Sequence, residues 1–192
     1  MAGNGFIRIY HLTNSTYEIA YSQVLPNHTV IGFWFSQDEN TLILSLDYEV
    51  HLMEYDGNTY QTIEILNGLP AIASVIRPSA NQSLLYIGLN NKELRVYEKN
   101  GLHSLIQTTS LSFEPQQINF VHGLIQLNGV GSEILFLEYD GSQYVVNQSI
   151  VALDRRIKSV SYFENNEKFV FGGDQEKIKF FKRVNGMFVP EE

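Results

Sequence analysis

Short apolar runs, broken by clusters of polar turn residues, fill the whole length of the chain. Between residues 29 and 66 the runs read TVIGFWFS, TLILSLD, EVHLMEY and TYQTIEIL, separated by QDEN, a bend near Tyr48, and DGN. Each is rich in β-branched and aromatic residues and partly alternates between apolar and polar positions, which predicts strands. Asp-Gly at 56–57 and 140–141 and Asn-Gly at 100–101 and 185–186 mark hairpin turns, because Gly and Asn accept positive φ at low cost. No segment sustains a helical period, and the prolines stand at turns or strand ends, where a missing N–H costs least.

The four-run pattern recurs. EYDGNTY (54–60) and EYDGSQY (138–144) share E-Y-D-G-x-x-Y, and EKNGLHS (98–104), HLTNSTY (11–17) and KRVNGMF (182–188) occupy matching places. The last aromatic of each unit is Tyr17, Tyr60, His103, Tyr144 and Phe188, at steps of 43, 43, 41 and 44. Four consecutive meanders can form a sandwich, a barrel or a propeller. A constant period near that of a four-stranded blade favours the propeller, since each unit then packs face to face on its neighbours. The expectation is an all-β chain, a β-propeller segment of about four four-stranded antiparallel blades with a leading half-blade. The half-blade is placed at 5–24 and the blades at about 28–66, 70–109, 115–151 and 156–190.

These residues resemble the WD-repeat family of β-propellers. NHTVIGFWFSQDENTLILSLDYEVHLME (27–54) follows the family pattern, with His28, Phe35-Ser36 and Asp47 in place. IRPSANQSLLYIGL (76–89), SYFENNEKFVFGGD (161–174) and the strands IRIY (7–10), LRVY (94–97) and IKFF (178–181) fit as well. The family's Trp position is held by Tyr10, Met53, Tyr97, Leu137 and Phe181, and its Asp position by His11, Glu54, Glu98, Glu138 and Lys182. The family's His–Ser–Asp–Trp hydrogen-bond network is therefore incomplete in every repeat; His28 and Asp47, with Ser45, would keep part of one. Apolar packing and strand hydrogen bonds must hold the blades instead, and Trp34 is assigned to core packing. AGNGFIRIY (2–10) matches the b–c turn and c strand of a repeat, as GGDQEKIKFF (172–181) does. The chain thus reads as starting in mid-blade: the C-terminal part of a longer propeller, a truncated product, or a half that needs a partner. Open ends of this kind expose strand edges and an apolar blade face, so self-association or recruitment of missing blades is expected.

Composition narrows the chemistry. With 21 acidic against 13 basic side chains and a net charge of -8, the chain lacks the basic field of a general nucleic-acid binder. The absence of cysteine excludes disulfides, thiolate metal sites and Cys nucleophiles. No apolar run reaches the roughly 18 residues of a membrane span. MAGNGFIRIYHL lacks the long apolar stretch of a secretory signal, so an intracellular, cytoplasmic location is expected. The histidines 11, 28, 51, 103 and 122 show no metal-ligand spacing. The acids of Glu54–Asp56 and Glu138–Asp140 flank hairpin turns, and no G-x-S-x-G elbow or phosphate-cradling loop occurs. The N-x-S/T triplets at Asn14, Asn27, Asn81 and Asn147 carry no glycan expectation without a signal segment. No catalytic residue, cofactor or metal is assigned.

Charge is unevenly placed. Residues 1–150 hold 5 basic and 14 acidic side chains, whereas 151–192 hold 8 and 7. The late basics (Arg155, Arg156, Lys158, Lys168, Lys177, Lys179, Lys182 and Arg183) form either a docking face for an acidic or phosphorylated ligand or a solvated face that balances an acidic chain and resists edge aggregation.

The function expected is a non-catalytic scaffold that binds other proteins or peptides. The step from fold to role is analogy. The alternatives are an enzyme or small-ligand binder with a central-channel site, and a reader of acidic or phosphorylated ligands through the last blade. In the family resembled, the d–a and b–c loops share one face. Aromatic and arginine side chains there have the highest prior as hot spots, which selects Tyr48, Phe113, Arg155 and Arg156. His28 is a weaker candidate because of its place in the residual network. Packing between blades is the competing assignment for Phe113 and Tyr48.

Overall fold

The structure, a computed structural model, describes residues 5–151, 156–173 and 178–191. Among these the regular structure is all strand, in five antiparallel sheets. A two-stranded half-blade pairs β1 (Gly5–Thr13) with β2 (Thr16–Leu25). The first full blade is β3 (Val30–Phe35), β4 (Thr41–Leu46), β5 (Glu49–Tyr55) and β6 (Tyr60–Leu66). The second is β7 (Ala73–Pro78), β8 (Leu84–Leu89), β9 (Glu93–Asn100) and β10 (Leu102–Ser110). The third is β11 (Glu114–Val121), β12 (Leu124–Val130), β13 (Glu133–Tyr139) and β14 (Tyr144–Val151). The fourth is β15 (Ile157–Phe163), β16 (Lys168–Gly173), β17 (Ile178–Val184) and β18 (Met187–Pro190). Strand order within every blade is the chain order. This is the β-propeller segment that the repeat predicts.

Four apolar seams join the sheets, and the strand period of two decides which residue enters which seam. In β4, Leu42, Leu44 and Leu46 pack on Ile7, Ile9 and Leu25 of the half-blade. Ile43 of the same strand points the other way, with Val50 and Leu52, onto Ile76, Leu85 and Ile87 of the second blade. Trp34 joins this second seam half-buried. Tyr86 and Val96 meet Ile118, Leu127 and Leu137 in the third. The fourth is aromatic: Phe136 of the third blade meets Phe169, Phe171, Phe181 and Phe188 of the fourth. A b strand between two blades is thus apolar on both faces, which is why TLILSL and LLYIGL barely alternate.

A second device recurs at the period of the repeat. On each d strand of the half-blade and the first three blades the ladder with strand c skips one residue: 20, 63, 106 and 147. Such a bulge re-aims the side chains that follow it. The next residues are Tyr21, Glu64, Gln107 and Gln148, and the last three reach across the seam. The Gln107 amide accepts from Tyr144 N–H at 2.8 Å and donates to its carbonyl at 3.0 Å. Gln148 does the same with Phe188, at 3.0 and 2.7 Å. Glu64 has no N–H to give. Its carboxylate accepts from His103 N–H and lies against His103 Nδ1, both at 2.7 Å. The repeat aromatics of the sequence are therefore the residues whose backbone is gripped by the preceding blade. Tyr21, the corresponding residue of the half-blade, stacks its ring edge-on to Tyr60 instead, with centroids 5.4 Å apart.

The two Asp-Gly hairpins are built alike. Asp56 accepts from Asn58 and Thr59 N–H at 2.8 Å each, and Asp140 accepts from Ser142 and Gln143 N–H at 2.8 and 2.9 Å. Gly57 and Gly141 take φ of 95° and 102°, the region that favours glycine. The N–H groups, Thr59 for Asp56 and Gln143 for Asp140 foremost, hold both carboxyls below the usual carboxylate range. A carboxyl depressed by folding adds stability above its unfolded pKa of about 4 and loses it as pH falls through the lower folded value. Wild type should therefore lose thermal stability more steeply on acidification than an Asp56→Asn/Asp140→Asn variant. Equal slopes in a pH series of melting curves would discard this account of the turns.

Candidate interaction surface

The b–c turns and d–a connections lie together at one end of the sheets, tied by backbone hydrogen bonds. Leu69 N–H bonds the Tyr48 carbonyl at 3.2 Å and Ala73 N–H bonds the Asp47 carbonyl at 3.3 Å. Asn90 N–H bonds Ile72 at 3.0 Å, Leu111 bonds Lys92 at 2.8 Å, and Ile157 bonds Gly131 at 2.9 Å. Turn and loop at each seam thus brace one another, and side chains pointing away from this frame have no packing duty.

The predicted residues fare differently on this face. Tyr48 is 54 % exposed, with its backbone fixed by the bond to Leu69. Arg156 is exposed, and its guanidinium donates to Gln116 Oε1. Phe113 is 3 % exposed and sits among Ile118, Leu127 and Leu135 in the third seam. For that ring the packing assignment holds, and it offers nothing to a partner. Arg155 lies outside the described residues. His28 is half-buried, with Nδ1 at 4.0 Å from Asp47 Oδ2 and its ring edge-on to His51 at 6.1 Å. Asp47 Oδ2 accepts from Thr29 N–H at 2.9 Å. Ser45 does not join them. Its hydroxyl, fully buried, donates across the seam to the Ala73 carbonyl at 2.5 Å. The residual network is a His28–Asp47 contact alone.

The basic residues of the last blade are largely engaged. Lys168 bridges Glu164 at 3.1 Å and Glu191 at 3.3 Å, and Glu164 above all holds its ammonium above the usual lysine range. Arg183 lies 3.9 Å from Glu167. Lys177 lies outside the described residues, and Lys179 is exposed. Among the described residues no group of three or more His, Asp or Glu side chains is placed to hold a metal ion, and no helix is long and apolar enough to cross a membrane.

The exposed apolar face expected beside the half-blade takes a definite shape. An open groove of about 380 Å³ runs beside β1, between the side of the strand away from β2 and the face of β3 and β4. Its floor includes Phe33, which is 71 % exposed, with Phe35 and Leu44. Apolar a-strand residues usually mean core. Among the described residues β1 pairs with β2 alone, as the expected half-blade implies, and the groove lies along its other side.

No protein-family profile matches the chain, and no curated protein does. Its fold is similar to that of a chain in the crystal structure of a mitotic checkpoint complex, with a TM-score of 0.66 at 9 % identity. The match covers 84 % of this chain and 50 % of the other, so the chain spans about half the length of that neighbour. At this identity the likeness concerns the fold. Stacked four-stranded meanders, joined seam by seam with loops and turns gathered at one end, define the class as a β-propeller segment.

Proposed function

We propose that this chain is a non-catalytic interaction scaffold of the WD-repeat type, which binds other proteins or peptides through the b–c and d–a end of its blades. The observation that carries this reading is Tyr48: an aromatic ring 54 % exposed on a turn whose backbone is pinned by neighbouring segments. Such a residue presents a large contact area at little entropic cost. Arg156, exposed before the fourth blade, adds directed hydrogen bonding. Tyr48→Ala is expected to weaken capture of a protein partner by about 2 kcal/mol or more and to leave the melting temperature nearly unchanged. If capture is unchanged in Tyr48→Ala and in Arg156→Ala, this face is not the binding surface.

The ligand-reader alternative gains little from the last blade, where Lys168 and Arg183 already face carboxylates of the same chain. The small-ligand alternative has one specific observation behind it, a cleft of about 600 Å³ past Trp34, Arg77 and Phe120. Its lining holds one acid, Asp38, and one cation, Arg77. This pair suits anchoring a polar group better than acid–base chemistry, which needs poised groups around a reacting centre.

A further inference from the structure

The cleft past Trp34, Arg77 and Phe120 lies at the other end of the sheets from Tyr48. Its walls are the last residues of the a strands β3, β7 and β11 and the a–b turns that follow the first two. Those turns are braced from the c strands: Tyr55 N–H bonds the Asn40 carbonyl and Lys99 N–H bonds the Ser83 carbonyl, both at 2.9 Å. Three complete blades build the cleft, and backbone bonds fix its frame.

Arg77 is its unusual member. Pairing with the b strands sets Trp34 opposite Ile43, Arg77 opposite Tyr86, Asn119 opposite Gln126 and Ser161 opposite Val170. This place in the blade holds a cation only in the second. In the third blade the polar side chain is satisfied by its partner, Asn119 donating to Gln126 at 2.7 Å. In the second, the partner's hydroxyl is already committed to that of Tyr144 at 2.7 Å. Arg77 is exposed, and its guanidinium makes no hydrogen bond or ion pair among the described residues.

Two further donors in the lining are unspent. The Trp34 indole N–H has no acceptor among the described residues. The Gln82 amide accepts from the Thr41 hydroxyl at 3.4 Å, and its own N–H groups donate to no described residue. The one acid of the lining, Asp38, is occupied. It accepts from Asn40 N–H at 3.2 Å and from the Asn40 side-chain amide at 3.1 Å, and the Ser36 hydroxyl foremost holds its carboxyl below the usual carboxylate range. No ion pair joins it to Arg77. The cleft therefore offers donors and one unspent positive charge beside an indole and a phenyl ring. An acceptor with a single negative charge completes it. A phosphate, which carries close to two charges, would meet the repulsion of Asp38 in the same space, so a carboxylate fits better. The cleft is open and larger than one side chain, which leaves room for a chain to pass across it.

We infer that this cleft binds an acidic side chain, Asp or Glu, of an extended segment of a partner protein. The carboxylate takes the Arg77 guanidinium. Apolar residues two places to either side, which share the face of the acid, lie against Trp34 and Phe120. This rests on the scaffold reading and gives it a second surface, at the end opposite Tyr48.

The test is fluorescence polarisation with a labelled peptide capped at both ends: threonine, leucine, serine, glutamate, serine, leucine, threonine. Its pattern reads the same in either chain direction. Saturable binding is expected, weakened about tenfold or more when the peptide's glutamate becomes lysine, because a charge-assisted pair is lost. Arg77→Glu, at an exposed position, should invert that preference, a gain that a misfolded chain could not show. Asp38→Asn should tighten the glutamate peptide by about threefold, since it removes a like charge at the surface. Phosphoserine in place of the glutamate should bind wild type more weakly than glutamate does. Equal affinity for the glutamate and lysine peptides, or no binding of either, overturns the proposal. So does tighter binding of the phosphoserine peptide, or competition by free glutarate as strong as by the unlabelled peptide, which would give the cleft to a small anion. Tyr48→Ala should bind the peptide as wild type does. If the peptide fails while partner capture still depends on Tyr48, only this site falls. If Arg77→Glu, Tyr48→Ala and Arg156→Ala all leave capture unchanged, the scaffold reading falls with it.

Discussion

Phe169→Ala is expected to lower the stability of the chain by about 3–5 kcal/mol, the largest effect of any single truncation in the last blade. Phe169 is fully buried at the centre of the fourth seam. Its ring stacks on Phe181 at 5.0 Å and 8°, meets Phe188 edge-on at 5.0 Å, and lies 6.0 Å from Phe136. Alanine removes the ring from among Phe181, Phe188 and Phe136, which are anchored on three different strands and cannot collapse into the gap, so a cavity term adds to the lost transfer energy. Phe180 is the matched control. It stands one residue before Phe181, the ring on which Phe169 stacks, and is 48 % exposed on the opposite face, where Phe180→Ala should cost well under 1 kcal/mol. Urea titrations of both variants decide it. Comparable midpoints would mean that the fourth seam does not carry the last blade.

The contrast between neighbouring phenylalanines shows how far the sequence could be read. Strands, turns and period were legible because Asp-Gly and Asn-Gly turns and β-branched runs act locally. The direction of a side chain was legible only where alternation is unbroken. The d strands of the half-blade and the first three blades each skip one residue in their ladders, and that skip reverses the face of everything after it. Glu64, Gln107 and Gln148 therefore looked like polar outer-strand residues, although the 43 and 41-residue steps between them were present in the sequence. Phe113 was ambiguous for another reason. It lies in a connection, and a connection between blades can turn its side chain into the seam or out of it. Gly131, whose added Cβ would come within 3.1 Å of Phe113 Cβ, makes the room, but nothing local to Phe113 announces that. An apolar face beside the half-blade was expected from the repeat; which side chains line the groove there, Phe33 and Leu44 among them, follows only from how β3 and β4 pack.

Exchanging one seam's grip for another's is expected to show strong energetic coupling. The His103 side chain is 4 % exposed and that of Glu64 is 8 %. Glu64→Ala leaves a buried ring nitrogen and the His103 N–H without an acceptor, and breaking a buried pair from one side costs about 3 kcal/mol. His103→Tyr alone should cost nearly as much. The Glu64 carboxylate would keep the backbone N–H at residue 103 but lose the ring donor, and a carboxylate cannot donate to the carbonyl beside it. Glu64→Gln supplies that missing N–H. With His103→Tyr it reproduces the Gln107–Tyr144 arrangement one seam earlier, where the amide both accepts from and donates to the same backbone residue at 2.8 and 3.0 Å. The double variant should therefore recover most of the stability lost in His103→Tyr, with a coupling of about 2 kcal/mol in a double-mutant cycle. Glu64→Gln alone should be mild, because its amide can still accept from the backbone and donate to a neutral imidazole. Thermal or urea unfolding of the four chains gives the cycle directly. Strict additivity would show that the grip across the seam follows from packing, and that the pairing of Glu with His and Gln with Tyr or Phe at this position is coincidence.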